Sequence, residues 1–260
     1  MRGAIGLELR RTRVRLGLAR RALLARERVD DPVFVVSAGR TGSQLLADYL
    51  NCLPGVTVLD EVLNAEKVIG LPARLVTQRG VESHLRHSIG ILPGPVRGAK
   101  LLLSQMEQRR LSPERLRELF PGVRFVVLYR RLLAEQYISL QMANATGRYA
   151  ARSPDGPSAQ RVHVDPDDLR CYYDRVKARY RAVLAQPWVR ERSVVVSYED
   201  LTTDPQGVID ERVCPLLGVP STVMTTTLFK QNRRSLADTV ANFEEVRELL
   251  TGEAARHDYG

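Results

Sequence analysis

The stretch that decides the fold runs VFVVSAGRTGSQLL over residues 33–46. It opens with the apolar, β-branched run of a buried strand, which stops at small residues and leads into an amphipathic helix. The first N–H groups of such a helix have no partner inside the helix, and the positive end of the helix dipole adds to them. Because Gly39 and Gly42 let the backbone approach a ligand closely and Arg40 adds a fixed charge, the stretch predicts a site for a phosphate or sulfate group.

The loop within this stretch differs from the nucleotide-binding P-loop, G-x-x-x-x-G-K-[ST], whose lysine stands directly before a magnesium-binding Ser or Thr. Here Ser43 and Gln44 follow Gly42, and the basic residue stands three positions before Ser43. No nearby sequence is typical of a second carboxylate ligand for magnesium. We therefore expect an anion site without a metal; the alternative is a plain strand–turn–helix of an α/β domain.

A second element of the same kind runs RFVVLYRR over residues 124–131 and continues into an expected helix. It is again a buried-type strand, with two arginines at its carboxyl end. Ser139 lies eight residues beyond Arg131, on the expected helix. The pair of arginines predicts a second anion-binding position beside the first loop, and the alternative is a solvated helix start.

With these two elements the chain resembles the sulfotransferases that use 3′-phosphoadenosine 5′-phosphosulfate (PAPS) and release 3′,5′-adenosine bisphosphate (PAP). The resemblance covers about residues 33–252 and includes the segments Tyr-Glu-Asp-Leu at 198–201 and Lys-Gln at 230–231. It implies that the 3′-phosphate is held by Arg131 and Ser139. The donor-binding residues that it implies are Arg40, Thr41, Gly42, Ser43, Gln44, Arg131, Ser139 and Lys230.

Strand and helix patterns alternate along the chain, which predicts a three-layer α/β/α domain around a mostly parallel sheet. The resemblance implies that the loop after the first strand is a P-loop-like phosphosulfate-binding loop. We expect strands at 33–37, near 57–59, at 97–103, 124–129 and 193–197. We expect helices near 42–53, 81–89, 113–120, 132–145 and 166–185, and in the last twenty-five residues. We therefore expect one domain over residues 31–260, preceded by a basic, helical extension over residues 1–30. Ligands of such sheets bind at the carboxyl ends of the strands, where both anion loops fall.

Sulfuryl transfer needs stabilisation of the departing phosphate and a group that takes the acceptor's proton. The amides of the first loop and the Arg40 guanidinium suit the first task, and we expect Arg40 to be catalytic. For the second task the resemblance implies Glu61, at the end of the second strand, with Asp60 and His84 as alternatives. The other interpretation of Asp60 and Glu61 is a solvent-facing acidic pair. The role of Lys100 is left open, and no metal is expected because the sulfuryl group carries less charge than a phosphoryl group.

The net charge of +9 is concentrated in the first thirty residues, where nine arginines face three acidic residues. We interpret this segment as a solvated helix, and the alternative is contact with an anionic membrane surface or a lipid-linked acceptor. Nucleic acid is not expected, because no aromatic residue interleaves with the charge. Three scattered cysteines and four histidines show no metal-ligand spacing. We expect a cytoplasmic protein, peripheral at the membrane in the alternative, and the sequence leaves a homo-oligomer open.

The sequence therefore predicts a PAPS-dependent sulfotransferase that acts on a hydroxyl or amine of a small-molecule, sugar or lipid-linked acceptor. The sequence does not identify the acceptor, because the side chains of the expected acceptor loops, 64–91 and 144–165, have no common chemical character. Two alternatives stay open at this point. One is a magnesium-dependent P-loop kinase or hydrolase, and the other is a non-catalytic scaffold of the same fold.

Overall fold

A single parallel β-sheet organises the molecule. The computed structural model describes residues 29–67, 69–72, 77–147, 160–226 and 234–259. The strands run in the order β2-β3-β1-β4-β5, and all four neighbouring pairs are parallel. Their bounds are β1 Val33–Ser37, β2 Val56–Leu59, β3 Val96–Leu102, β4 Arg124–Tyr129 and β5 Ser193–Ser197.

Twelve α-helices lie in the part of the chain that is described. In chain order they are α1 Ser43–Leu50, α2 Gln78–Gly90, α3 Leu103–Gln108, α4 Pro113–Leu119, α5 Leu133–Thr146, α6 Pro166–Leu184, α7 Pro187–Glu191, α8 Tyr198–Thr203, α9 Pro205–Val208, α10 Cys214–Leu217, α11 Leu236–Thr239 and α12 Phe243–Thr251. A π-helical turn, Ile209–Val213, joins α9 to α10, and a 3₁₀ turn, Glu253–Ala255, follows α12. None of the described helices is both long and apolar enough to span a bilayer.

Side chains of the central strand alternate between two apolar layers. Phe34 and Val36 of β1 are fully buried on the face covered by α2 to α7 and α12, while Val33 and Val35 are fully buried on the face covered by α1, α9 and α10. Burial of β1 on both faces explains its continuous apolar sequence. The expected three-layer α/β/α architecture with a parallel sheet is confirmed.

The register of the strands brings their carboxyl ends to one edge of the sheet. Ser37 of β1 lies between Leu102 of β3 and Leu128 of β4. The loop after β1 therefore stands between the start of α3 and the turn that follows β4. Residues that are far apart in sequence meet at this edge.

The predicted strands are all present, but several helices and helix boundaries were not predicted from the sequence. The expected strand 97–103 ends at Leu102, and α3 begins at the next residue without a turn. Helices α8 to α10 were not predicted as helices. The expected extension 1–30 lies almost wholly outside the described residues, as do Lys230 and most of the loop 147–165, so these remain predictions.

Candidate active site

The loop between β1 and α1 has a backbone shape that requires glycine at its end. Arg40 and Gly42 have φ values of 64° and 82°, in the left-handed region. A Cβ atom at Gly42 would lie 2.4 Å from Cδ2 of Tyr198, so the tyrosine ring packs directly against the glycine. The Thr41 hydroxyl donates to the carbonyl of Ala38 at 3.0 Å, which closes the loop on itself. Thr41 is fully buried and offers a ligand its backbone rather than its side chain.

No side chain among the described residues caps the N-terminus of α1, a feature that α1 shares with α3, α5, α7, α10 and α12. Side chains of Thr77, Ser112, Asp165 and Ser197 accept backbone N–H groups at the starts of α2, α4, α6 and α8. No acidic residue stands in the first turn of α1 either. The helix dipole and the first-turn N–H groups of α1 are thus left for an external acceptor.

Buried hydrogen bonds from other elements hold this loop in place. The Tyr180 hydroxyl, on α6, accepts the N–H of Ala38 at 2.8 Å and donates to the carbonyl of Leu128 at 2.6 Å. The Gln136 side chain, on α5, donates to the carbonyl of Gly39 at 2.7 Å. Because these groups occupy the rear of the loop, its amides are oriented without help from a ligand, as preorganised charge stabilisation requires.

Substitution of Gly42 by Ala tests this loop geometry. We expect the free energy of unfolding to fall by about 2–4 kcal/mol, because the new Cβ requires a left-handed backbone and meets the Tyr198 ring. Gly39→Ala is the matched control, since a Cβ there meets nothing within 4 Å. Urea unfolding of both variants measures the difference. A Gly42→Ala protein as stable as Gly39→Ala would contradict the described loop.

Two arginines lie at the loop between β1 and α1: Arg40 belongs to the loop, and Arg130 comes from the turn after β4. Nε of Arg40 donates to Oγ of Ser139, on α5, at 3.1 Å. The Arg130 guanidinium, directly after β4, contacts the Glu135 carboxylate and lies 4.8 Å from the centroid of the Tyr198 ring. Only 9% of the Arg130 side chain is exposed, and its Nε atom is buried without a partner among the described residues. The structure brings Arg40 and Ser139 into contact, which was not expected, and it adds Arg130, which was not assigned a role.

Arg131 occupies a different position from the one expected. Its guanidinium forms two hydrogen bonds with the Asp200 carboxylate, at 2.6 and 3.0 Å, and does not line the cleft. The hydrogen bonds that Arg131 donates to Asp200 hold the pKa of Arg131 above its usual range. The Glu199 carboxylate accepts the N–H groups of Arg131 and Leu132 at 2.9 and 3.2 Å. Arg131 therefore joins the end of β4 to α8, and Arg130 rather than Arg131 lines the cleft; the role of Arg131 as a 3′-phosphate ligand stays a prediction.

A buried lysine organises the opposite side of the loop. Nζ of Lys100, on β3, lies 2.6 Å from Oδ1 of Asp60 and 3.3 Å from Oε1 of Gln44, and 3% of the side chain is exposed. Nζ of Lys67 lies 2.9 Å from the other Asp60 oxygen. Burial alone would raise the pKa of Asp60, but the two ammonium groups lower it to about 2. Asp60 is thus a counter-ion whose low pKa makes it a weak proton acceptor.

Glu61, unlike the neighbouring Asp60, lines the cleft. Its Oε2 atom accepts from Nδ2 of Asn64 at 2.9 Å and from Nε2 of Gln105 at 3.2 Å. Its Oε1 atom lies 3.5 Å from Nζ of Lys100, and 17% of the side chain is exposed. His84, the other alternative for the base, lies outside the described lining of the cleft, with its Nε2 atom 3.1 Å from the carbonyl of Val62. Sequence reasoning found Glu61 but missed Asn64 and Gln105.

All these groups surround one cleft of about 1220 Å³. Basic side chains outnumber acidic ones in its described lining, which favours anionic ligands. The basic residues are Arg40, Lys67, Lys100, Arg109, Arg130, Arg175, Arg179 and Arg234, and the acidic ones are Glu61, Glu66 and Glu135. Gly42, Ser43, Gln44 and Ser139 also line it, whereas Lys230 lies outside the described residues.

The C-terminal segment supports the turn that carries Arg130. Nε2 of His257 lies 2.7 Å from the carbonyl of Arg130, so this nitrogen carries the proton, and the His257 N–H donates to the carbonyl of Arg131 at 3.2 Å. The ring packs edge-on against Tyr129, Tyr180 and Tyr259. Burial lowers the pKa of His257 to about 4.

This histidine predicts a loss of stability in acid. Because its pKa is 6.5 when unfolded and about 4 when folded, the unfolded chain binds the proton first. The contribution of neutral His257 to the free energy of unfolding is complete above pH 6.5 and is lost as the pH falls toward 4. This contribution amounts to about 3 kcal/mol. We expect His257→Gln, which keeps an N–H donor but does not titrate, to show a smaller fall in unfolding free energy from pH 7 to 4.5. Equal slopes for the two proteins would contradict the assignment.

The comparisons with known proteins agree with this geometry. The model of the family described as "Sulfotransferase family" matches residues 95–223, which include β3, β4 and the Tyr198 segment. The matched part of the chain, from β3 to beyond α10, is therefore similar to the sulfotransferase family. It is 24% identical over 228 residues to nodulation protein H of Rhizobium tropici, which covers 85% of this chain and 90% of that protein.

The fold is also that of a solved sulfotransferase. The crystal structure of a sulfotransferase from Alicyclobacillus acidocaldarius superposes with a TM-score of 0.53 at 14% sequence identity, over 86% of this chain and 92% of that one. The chain therefore shares the architecture of a solved structure despite low identity, and its site residues must be argued from its own geometry.

Proposed function

We propose that this protein moves a sulfuryl group from PAPS to a hydroxyl or amine of a small-molecule, sugar or lipid-linked acceptor. The observation that carries the proposal is the uncapped N-terminus of α1, which opens into a cleft beside Arg40, Arg130 and Lys100. A carboxyl-edge anion site of this kind suits a phosphosulfate, and the similarity of the chain to the sulfotransferase family supports the reaction class.

The cleft fits such a donor in two respects. Nε of Arg130 is a buried donor without a partner among the described residues, and a phosphate oxygen would satisfy it. The Gly42 position, closed on one side by Tyr198, leaves only the backbone facing the ligand. We propose that Thr41, Gly42, Ser43 and Gln44 bind the 5′-phosphosulfate and that Arg130 and Ser139 bind the 3′-phosphate. Participation of Lys230 remains a prediction.

The protein side of the reaction follows from the charges at the cleft. When bound, PAPS would supply the sulfuryl group, and the acceptor oxygen would form the new bond to sulfur as the bond to the phosphate breaks. Glu61 would take the acceptor's proton on a carboxylate oxygen. Arg40 and the amides of the first turn of α1 would stabilise the negative charge that remains on the phosphate. Lys100, held by Asp60 and Gln44, keeps a second positive charge between the loop and Glu61.

The test is transfer of labelled sulfate from PAPS, with EDTA present, to a panel of sugars, phenols and amines, with PAP release followed by chromatography. We expect transfer without added metal, and loss of transfer in Arg40→Ala. Phosphoryl transfer from ATP that needs magnesium, with no sulfate transfer, would favour the kinase alternative. PAP binding without any turnover would favour the non-catalytic scaffold. Cytoplasmic location, membrane contact by the segment 1–30 and a homo-oligomer stay predictions.

A further inference from the structure

One wall of the cleft carries arginines that the donor does not require. Tyr172, Arg175, Val176 and Arg179 follow one another at helical spacing on α6, and all four line the cleft. Residues three and four apart share one face of a helix, so α6 presents both guanidiniums along a single stripe. Arg109, at the end of α3, lines the same wall.

This wall is connected to the proposed base through α3. Gln105 of α3 donates to Glu61 at 3.2 Å, and Arg109 stands four residues further on the same helix face, about 6 Å along its axis. Nε of Arg179 donates to Glu107 of α3 at 2.9 Å, which brings α6 against α3. An acceptor whose hydroxyl meets Glu61 would therefore extend toward these arginines.

The charge on this wall is only partly balanced. Glu107 neutralises Arg179, whereas neither Arg109 nor Arg175 forms a salt bridge within the described part of the chain. Arginine is always charged and binds carboxylate and phosphate oxygens with two parallel hydrogen bonds. Resting on the function proposed above, we propose that the acceptor carries an anionic group, a carboxylate or a phosphate or sulfate ester, that binds Arg109, Arg175 and Arg179 while its hydroxyl lies at Glu61.

Matched acceptor pairs test this inference. The neutral members are methyl glucoside, 4-methylphenol and glycerol, and the acidic members are methyl glucuronide, 4-hydroxyphenylacetate and glycerol 3-phosphate. We measure sulfate transfer from labelled PAPS, and binding of the same compounds to PAP-saturated protein by ligand-observed NMR. We expect the acidic member of at least one pair to be preferred tenfold or more. The double variant Arg175→Ala/Arg179→Ala should abolish that preference.

Arg170→Ala is the matched control, since Arg170 is an exposed arginine on α6 that pairs only with Asp167 of its own helix in the described structure. We expect Arg170→Ala to retain the preference, and all three proteins to bind PAP within twofold of one another. Equal use and equal binding of neutral and acidic members would overturn the inference, as would a preference that survives in the double variant. Failure of the wild type to bind PAP would instead reject the proposed function, and the inference with it.

Discussion

Glu61→Gln is expected to lower kcat by a factor of about 10²–10⁴, the usual contribution of a positioned general base. The amide keeps the size of the side chain near Asn64 and Gln105 but cannot take a proton. PAP affinity should change little, because Glu61 lies on the acceptor side of the loop. The measurement is steady-state turnover of the best acceptor in EDTA, with the PAP dissociation constant determined alongside.

The matched control for this variant is Glu66→Gln, which removes an exposed carboxylate from the lining of the same cleft. It should retain wild-type turnover. Near-normal turnover by Glu61→Gln would show that another group takes the proton.

Arg130→Ala is expected to raise the PAP dissociation constant by about 10- to 100-fold, corresponding to loss of a charge-assisted hydrogen bond of about 1.5–3 kcal/mol. Calorimetric titration measures it. Arg131→Ala is the matched comparison, because it removes the same side chain from the adjacent position. Its dissociation constant should stay within about threefold of wild type, while its stability should fall by about 1 kcal/mol through loss of the partly exposed pair with Asp200.

The two arginine variants separate the sequence-based expectation from the structural one. The spacing to Ser139 favoured Arg131 as the phosphate ligand, and the structure favours Arg130. Loss of PAP binding in Arg131→Ala, with normal binding in Arg130→Ala, would restore the first assignment. Thermal unfolding of both variants shows that each remains folded during the titration.

Local patterns predicted the centre of the fold well. The β1 run and the glycines after it are adjacent in sequence, so the strand, the loop and α1 were all readable before any tertiary contact was known. The position of Glu61 at the cleft was predicted for a similar reason, since it lies two residues after β2. The start of α3 was missed because the apolar run Leu101, Leu102, Leu103 passes from strand to helix without a turn residue.

The remaining features depend on contacts between distant residues. Which of Arg130 and Arg131 enters the cleft is decided by Glu199 and Asp200, which bind Arg131 from about seventy residues further along the chain. The packing of Tyr198 on Gly42 and the Tyr180 bridge to Ala38 are likewise invisible to a local pattern.

The most direct test of the donor site is calorimetric titration of the full chain with PAP in EDTA, beside a titration with ATP and magnesium. We expect metal-free PAP binding in the micromolar range that Arg130→Ala weakens at least tenfold and Arg131→Ala leaves nearly unchanged. Absence of PAP binding, together with magnesium-dependent binding of ATP, would contradict the sulfotransferase proposal and favour a nucleotide kinase.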